Sequence, residues 1–337
     1  MSFTGANGHG ERASALRAMR EGERFVLATH EGPDGDALGS LVGMHRLLRA
    51  LGKDSLMYMA PEELPLPYEY RFIDLDGLVD VAPRDIAERT IVFLDCGNID
   101  RNPAEPLKRP GAHILNVDHH HDNTRFGTVN LVDPDASCTA EIVWELMGDL
   151  GLVASLEMAE ALYVGLVTDT GRFMYENTGP RAHEMAADLI ATGIDVEDLN
   201  RRLYEGVPQA KLELLIRGLS RIERHEGGLI TMTCLTRKDY EATGAEEAYS
   251  EGIIDHLRSL EGTAVAALVR DRICERKGSG KRKVSLRAVD DRVDVSAVAR
   301  RQGGGGHRRA AGFSTELEWE AIVAFLREAV AEALAPA

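Results

Sequence analysis

Several patterns that would define a class of protein are scarce or absent in this sequence of 337 residues. Aromatic residues make up only 5% of it, and no apolar run approaches the ~20 residues that a membrane-spanning helix needs. The first 12 residues are polar and rich in glycine, unlike a secretory signal. We therefore expect a cytoplasmic protein without a membrane partner.

Cysteine is also scarce. The four cysteines are Cys96, Cys138, Cys234 and Cys274, and no two of them form a C-x-x-C pair. Neither a zinc ribbon nor a dithiol redox site is expected from this spacing. We expect four reduced thiols, most of them buried.

Positive charge is in deficit, because 39 Lys plus Arg against 55 Asp plus Glu give a formal net charge of −16. A protein that coats long duplexes needs a broad basic face, so this class is disfavoured. Residues 270–309 are the exception, with 13 basic against 5 acidic residues. An acidic chain with one basic strip fits a protein that binds a small anion locally.

The length and the pattern of apolar segments predict an α/β protein with two domains. Short, nearly all-apolar strands alternate with helical patterns in the first half, at residues 24–29, 54–60, 90–95 and 113–117, with a further edge strand at 129–132. Such strands form a mostly parallel sheet, here of about five strands, with helices on both faces.

We place the first domain at residues 12–195. Residues 196–226 predict a connector of two amphipathic helices, with Pro208 in the first turn of the second helix. The strand and helix pattern then restarts and predicts a smaller α/β domain over residues 227–334.

Asp and His residues interrupt the apolar pattern at the ends of these elements. Residues 30–36 (HEGPDGD) follow the first strand, Asp95 closes the third, residues 118–121 (DHHH) follow the fourth, and Asp169 follows the helix at 157–167. In open α/β sheets the ligand crevice lies at the carboxyl ends of the strands. A helix cap would explain Asp34 or Asp36 alone, but not the histidines.

Together these segments supply six candidate metal ligands, namely His30, Asp34, Asp36, Asp95, His119 and Asp169. Six ligands are too many for one ion with an open position, but they suit two ions about 3.5–4 Å apart with a shared carboxylate. Nitrogen and oxygen donors without thiolate favour Mn²⁺ over magnesium, cobalt, iron or zinc.

These segments resemble, in order, the four motifs of the DHH phosphoesterases: HEGPDGD, the strand-terminal Asp95, Asp118-His119-His120, and GLVTDTG at residues 165–171. VSLRA at 284–288 and GGGGHRRAAG at 303–312 resemble the substrate-binding domain of one branch of that family. The resemblance covers nearly the whole chain, from about residue 12 to residue 334.

The resemblance implies that His30, Asp34 and Asp95 hold one ion. Asp36, Asp95, His119 and Asp169 would hold the other, with Asp95 as the bridge and His120 facing the substrate phosphate. Because His121 adds a third histidine, the sequence leaves the register between 119, 120 and 121 open.

Two such ions would lower the pKa of a bridging water, so that hydroxide attacks phosphorus at neutral pH. Asp95 and His120 are the predicted catalytic residues. His120 would stabilise charge or protonate the leaving oxygen, and the sequence does not decide which.

The second domain is expected to bind the substrate through Arg287, Gly304, Gly305, Gly306, His307 and Arg308. Consecutive glycines let the backbone approach an anion, and their N–H groups can form a nest. Arginine forks suit phosphate oxygens. Phe173, Tyr175 and Phe313 are the candidates for stacking on a base.

Two-domain chains of this length within the family hydrolyse very short RNA oligomers and 3′-phosphoadenosine 5′-phosphate (pAp), which the resemblance implies here. The expected partner is short single-stranded RNA or a small nucleotide, with no long duplex, and a homodimer is allowed. The alternative is a phosphodiesterase of cyclic di-AMP or its linear product pApA. A nucleotide sensor without catalysis is disfavoured, because all six ligand positions are intact.

Overall fold

The computed structural model describes residues 6–273, 281–306 and 308–335, so that two residues of interest, Cys274 and His307, lie outside the described residues. The chain divides into two compact units, Met1–Glu205 and Gly206–Ala337. Among the described residues, no helix combines the length and apolarity that crossing a bilayer requires. Cys96, Cys138 and Cys234 are free thiols, the first two of them buried.

The first unit contains six strands and six helices among its described residues. The strands are β1 (Arg24–Ala28), β2 (Asp54–Tyr58), β3 (Leu78–Val79), β4 (Thr90–Leu94), β5 (Ile114–Asp118) and β6 (Val129–Val132). The helices are α1 (Ala6–Glu21), α2 (Gly35–Ala50), α3 (Thr139–Asp149), α4 (Leu156–Asp169), α5 (Pro180–Ala191) and α6 (Val196–Tyr204).

The six strands form one parallel sheet in the order β3-β2-β1-β4-β5-β6. This confirms the predicted parallel sheet, and it adds the two-residue strand β3 and helix α1, which the sequence patterns did not indicate. The strand order reverses between β1 and β4. In doubly wound sheets the carboxyl ends of the strands at such a switch point open onto the ligand crevice.

Alternate strand residues build two cores, one on each face of the sheet. Phe25 and Leu27 pack with helices α2 to α5. Val26 and Phe93 face the other side, where the cover includes the 3₁₀ turns Ile86–Glu88, Ile99–Arg101 and Glu105–Leu107. The second face is thus covered by short helical turns where long crossover helices cover the first.

Helices α2 and α4 approach very closely because α2 carries Gly35, Gly39 and Gly43 at intervals of four residues. A Cβ atom on Gly39 would lie 2.3 Å from the carbonyl oxygen of Ala161, and one on Gly35 would lie 2.2 Å from the hydroxyl of Thr168. Only glycine permits this approach. The start of α2 therefore lies beside the end of α4.

The second unit holds a mixed sheet. Its elements are α7 (Gln209–Leu219), β7 (Glu223–His225), β8 (Ile230–Leu235), α8 (Arg237–Thr243), α9 (Ile253–Arg258), β9 (Val265–Asp271), β10 (Arg282–Ala288), α10 (Val295–Arg300), β11 (Gly305–Gly306), β12 (Ala310–Thr315) and α11 (Trp319–Leu334). The strand order is β11-β12-β10-β9-β8-β7, with β8 and β9 parallel and the other pairs antiparallel.

One face of this second sheet packs on α10 and α11 through a core that contains Val284, Leu286 and Leu326. Ser285 and Arg287 alternate with those core residues in β10, so they project from the opposite face. Before β9 the chain forms the 3₁₀ turn Glu247–Ser250 followed by α9. Gly252, with φ of 87°, separates the two.

Candidate metal centre

Three neighbouring strands, β1, β4 and β5, deliver His30, Asp95 and His119 to one edge of the parallel sheet. The Nε2 atom of His30 lies 3.4 Å from Oδ2 of Asp95. The Nε2 atom of His119 lies 3.6 Å from Oδ1 of the same carboxylate. The two oxygens of Asp95 therefore face different histidines.

Two helices deliver three further carboxylates. Asp34 caps α2 by accepting hydrogen bonds from the N–H groups of Asp36 and Ala37, and its Oδ1 also lies 4.0 Å from Nε2 of His30. Asp169 ends α4, with Oδ2 lying 3.8 Å from Nε2 of His119. Asp34 can therefore cap α2 and lie beside His30 at the same time.

The structure brings all six predicted ligand residues together, and we call them the switch-point cluster. Within the described residues, three overlapping groups have donor atoms within 4.8 Å of one another: His30, Asp34 and Asp95; Asp36, His119 and Asp169; and Asp95, His119 and His120. Asp95 belongs to two of these groups, and it is the residue that the sequence predicts as the bridge.

His120 lies at the margin of this cluster, with Nδ1 3.5 Å from Oδ1 of Asp95. The same nitrogen lies 2.8 Å from Oδ1 of Asp118, which is fully buried. Asn123 donates a hydrogen bond of 2.6 Å to the other oxygen of Asp118. His121 is exposed and belongs to none of the three groups.

Burial and neighbouring negative charge oppose ionisation of two of the carboxylates. Burial first, and then the charges of Asp95 and Asp169, raise the pKa of Asp36 well above its usual range. Burial, together with Asp34 and Asp95, raises the pKa of Asp169 in the same way.

Asp95 behaves in the opposite sense. Although its burial alone would raise the pKa, the hydrogen bond with His30 and the charges of His120, His30 and His119 hold the pKa of Asp95 below its usual range. Burial likewise opposes protonation of His30 and His119, but Asp95 and the other carboxylates raise the pKa of both rings. The buried acids Asp36 and Asp169 and the rings of His30 and His119 therefore all favour their protonated forms.

The backbone at Asp95 is also unusual, with φ of 54° in the left-handed region. This region disfavours residues with a Cβ, although Asp and Asn enter it more readily than most. Its N–H donates to the carbonyl oxygen of Val117 at 3.1 Å, so the residue is held at the end of β4 by its neighbour β5.

Two side chains that the sequence patterns did not indicate contact the cluster. The hydroxyl of Thr139 donates to Oδ1 of Asp95 at 3.1 Å, and Nδ2 of Asn177 donates to Oδ2 of Asp169 at 3.1 Å. Neither residue interrupts an apolar pattern, so no signal in the sequence marks them.

The predicted substrate-binding arginines lie in the second unit. Arg287 is half-buried on β10, and its Nη1 donates to the carbonyl oxygen of Leu286 at 3.1 Å. Arg308 is exposed and donates through Nη2 to the carbonyl oxygen of Asp291 at 2.6 Å.

The glycines of the second unit differ from the expected nest of free N–H groups. The N–H of Gly304 donates to the carbonyl oxygen of Ala299, which closes α10. Gly304 and Gly306 also allow close contact with β12, because a Cβ on either would lie within 2.6 Å of a β12 atom. Among the three predicted glycines, Gly305 is exposed and a Cβ on it would meet open space, so a ligand could approach beside it.

The stacking candidates also require correction. Phe313 is 4% exposed and packs edge-on against Phe325 in the core of the second unit, so it is wrong as a base platform. Phe173 stacks on His183, with ring centroids 5.1 Å apart. Tyr175 is 41% exposed and is the remaining candidate of the three.

Comparison with known proteins agrees with this division into two α/β units. Residues 24–166 match the model of the DHH family N-terminal domain, and residues 231–335 match that of the DHHA1 domain. The chain belongs to the DHH family.

Among the relatives, the chain is 35% identical to the bifunctional oligoribonuclease and PAP phosphatase NrnA of Thermus thermophilus, over 96% of this chain and 93% of that protein. It is 24% identical to the cyclic-di-AMP phosphodiesterase GdpP of Geobacillus thermodenitrificans, covering 87% of this chain but only 45% of that protein. A crystal structure of an exopolyphosphatase-related protein from Bacteroides fragilis shares the fold, with a TM-score of 0.85, 22% identity and 96% coverage of both chains.

Proposed function

We propose that this protein is a metal-dependent phosphoesterase that hydrolyses short oligoribonucleotides and pAp. The observation that carries the proposal is the switch-point cluster, in which Asp95 belongs to two overlapping groups of His and Asp side chains. Two divalent cations with a shared carboxylate are a recurring arrangement in phosphoryl-transfer enzymes. The similarity to the Thermus enzyme over nearly the whole chain supports the choice of substrates.

The donor set fits divalent cations. Asp36 and Asp95 are 1% and 2% exposed, and two buried carboxylates so close together are costly without compensating positive charge. The donors are imidazole nitrogens and carboxylate oxygens, for which we propose Mn²⁺ as the preferred ion. His30, Asp34 and Asp95 would hold one ion, and Asp36, Asp95, His119 and Asp169 would hold the second.

When bound, such cations supply a polarised water as the nucleophile and neutralise charge on the phosphate oxygens. His30 lies beside one oxygen of Asp95 and His119 beside the other, so both oxygens are held in place. The ring of His120 is fixed by Asp118 at Nδ1. Its Nε2 is therefore the nitrogen that we assign to the leaving oxygen, as proton donor or as a stabiliser of charge.

The second unit would supply the grip on the substrate. We propose that Arg287 and Arg308 bind phosphate oxygens, because guanidinium groups donate in the fork geometry that phosphate accepts. Exposed Gly305 would let the substrate approach the backbone. His307 keeps its predicted role as a phosphate contact.

Product analysis tests the proposal directly. Purified protein with Mn²⁺ is given a trinucleotide RNA, pAp and cyclic di-AMP in separate reactions, with Asp95→Ala as the matched control. We expect mononucleotides from the RNA and AMP from pAp, and no turnover by the variant.

Preferential cleavage of cyclic di-AMP would replace the proposal by a role in second-messenger turnover, which the similarity to GdpP makes the second candidate. If none of the three substrates were cleaved by protein with bound Mn²⁺, the proposal would fail in favour of a nucleotide-binding role.

A further inference from the structure

The segment that enters helix α3, residues 137–140, contacts the switch-point cluster although it supplies none of the predicted ligands. We call it the α3 entry segment. The hydroxyl of Thr139 donates to Oδ1 of Asp95 at 3.1 Å. Thr139 is fully buried, so this hydroxyl and its acceptor meet away from bulk water.

The backbone of the same segment binds a second carboxylate. The N–H of Thr139 donates to Oδ2 of Asp36 at 2.6 Å, and the N–H of Ala140 donates to Oδ1 at 2.9 Å. These are the first two N–H groups of α3, which have no partner within the helix. Asp36 thus caps α3 from another helix, in the place where Cys138 makes no side-chain cap of its own.

A third carboxylate is reached through Asn177. The Nδ2 atom of Asn177 donates to the carbonyl oxygen of Ser137 at 2.7 Å and to Oδ2 of Asp169 at 3.1 Å. One short segment therefore fixes carboxylates that come from the end of β4, the start of α2 and the end of α4.

The segment is itself anchored away from the cluster. The hydroxyl of Ser137 donates to Oε2 of Glu141, whose other oxygen lies 2.9 Å from Nε of Arg181. Glu141 is 1% exposed, so this ion pair ties the start of α3 to the start of α5 inside the unit. The α3 entry segment therefore has an anchor that does not involve the acids of the cluster.

A partner that fixes the side chain is especially important for Asp95. Its backbone is in the left-handed region, and its two oxygens must face different partners if the carboxylate is to be shared between two ions. Partial rotation of the carboxylate would turn its oxygens away from His30 and His119. A hydrogen bond from a buried hydroxyl to Oδ1 opposes that rotation.

We propose that Thr139 is a positioning residue, which orients the Asp95 carboxylate for binding divalent cations. The proposal rests on the metal-binding role given above to the cluster. Outer-shell partners of metal ligands orient those ligands, and their loss typically costs about 10–100-fold in metal affinity or activity.

Titration of Mn²⁺ into the metal-free protein, followed by calorimetry without substrate, provides the test. The variant Thr139→Val keeps the shape of the side chain and both backbone donors to Asp36 but removes the hydroxyl. We expect its Mn²⁺ affinity to fall by about 10–100-fold. Thr139→Ser restores the hydroxyl and should bind as the wild type does.

Thr233→Val is the matched control, because Thr233 is also fully buried and its hydroxyl donates to the carbonyl oxygen of Gly218 in the second unit. It should leave Mn²⁺ affinity unchanged. If Thr139→Val does not fold, Thr139→Ala repeats the comparison with a smaller side chain. Circular dichroism and the Tm of each metal-free variant report on folding.

A second readout separates positioning from a merely structural role. If Thr139 positions Asp95, the Mn²⁺ concentration for half-maximal activity rises in Thr139→Val, while the KM for substrate stays near the wild-type value. A structural role would lower the Tm of the metal-free protein and leave Mn²⁺ affinity unchanged.

If Thr139→Val binds Mn²⁺ as tightly as the wild type does, the inference about Thr139 is overturned, whereas the proposed function stays intact. Failure of the wild type to bind Mn²⁺ at all would instead overturn the proposed function, and this inference with it.

Discussion

The acids and histidines of the switch-point cluster lie mostly buried in the first unit, whereas the arginines expected to contact substrate in the second unit are half-buried or exposed. Asp95 is 2% exposed and accepts a hydrogen bond from Thr139. Arg308 is exposed, and its guanidinium donates to a backbone carbonyl oxygen. Short, fixed side chains suit an ion that demands a set geometry, whereas long side chains can follow substrates of different length.

The comparison extends to how each region is held. The cluster collects residues from β1, β4, β5, α2 and α4, and the glycine packing of α2 on α4 sets two of its carboxylates side by side. Arg287 lies on the face of β10 opposite the core of its unit, and Arg308 lies exposed on the connection before β12. The first region is therefore expected to respond sharply to single substitutions, and the second more gradually.

The largest effect is expected at Asp95. The variant Asp95→Ala removes the carboxylate shared by two ligand groups. Loss of a residue that only orients a metal ligand lowers activity by up to about 100-fold, so turnover should fall by more than that when the ligand itself is removed. Steady-state kinetics with trinucleotide RNA measure this loss, and circular dichroism checks the fold. Normal activity of Asp95→Ala would contradict the role of Asp95 as the shared carboxylate.

A smaller and different effect is expected at Arg287. Hydrogen bonds to charged groups are worth about 1.5–3 kcal/mol, so Arg287→Ala should raise KM by about 10-fold or more for substrates with a terminal phosphate. The kcat at saturating substrate should change much less, in contrast to Asp95→Ala. An unchanged KM would show that the guanidinium does not contact the substrate.

Arg308→Ala should have a weaker effect on KM than Arg287→Ala. Each guanidinium donates to a backbone carbonyl oxygen, but Arg308 is exposed whereas Arg287 is half-buried, so a phosphate contact of Arg308 competes more with water. Parallel measurements of KM for pAp rank the two arginines. The reverse order would mean that the exposed arginine provides the main grip.

The buried acids predict that the metal-free protein loses stability as pH rises. Because the folded-state pKa values of Asp36 and Asp169 are raised, their contribution is complete below the unfolded pKa and is lost as pH rises through the folded one. The raised pKa values of His30 and His119 act in the same direction above about pH 6.5. Asp95 has a lowered pKa, so its contribution is present above the unfolded pKa and is lost as pH falls through the folded one.

Accordingly, the Tm of the metal-free wild type should fall between pH 6 and pH 8, and Asp169→Asn should reduce that fall. The amide can still accept the hydrogen bond from Asn177, and it removes one negative charge from the cluster. A gain of about 1 kcal/mol at pH 8 would raise Tm by about 2–4 °C. Scanning calorimetry in the presence of a chelator measures the Tm of both proteins. A Tm for Asp169→Asn below that of the wild type at pH 8 would contradict the electrostatic explanation.

Much of the switch-point cluster was predictable because its ligands follow apolar strands or lie at the ends of helices. Parallel strands place their carboxyl ends on one edge, so Asp95 and His30 could be brought together without a structure. Thr139 could not be found in this way. It contacts a carboxylate 44 positions away and lies at a helix start where a threonine is unremarkable.

The errors in the second unit have a related cause. The prediction of Phe313 as a stacking residue is wrong, because the register of β12 places it opposite Val284 on the core face. A shift of one residue in a strand exchanges the two faces, and the sequence alone did not fix that register. The glycines of this region are likewise explained in part by close strand packing, which only the structure reveals.

The most direct test of the account is the stoichiometry of Mn²⁺ binding to the metal-free wild type and to Asp95→Ala, measured by calorimetry without substrate. The account predicts two ions per chain for the wild type and loss of tight binding at both positions in the variant, because Asp95 belongs to both ligand sets. A single ion in the wild type, or two ions bound with unchanged affinity by Asp95→Ala, would contradict it.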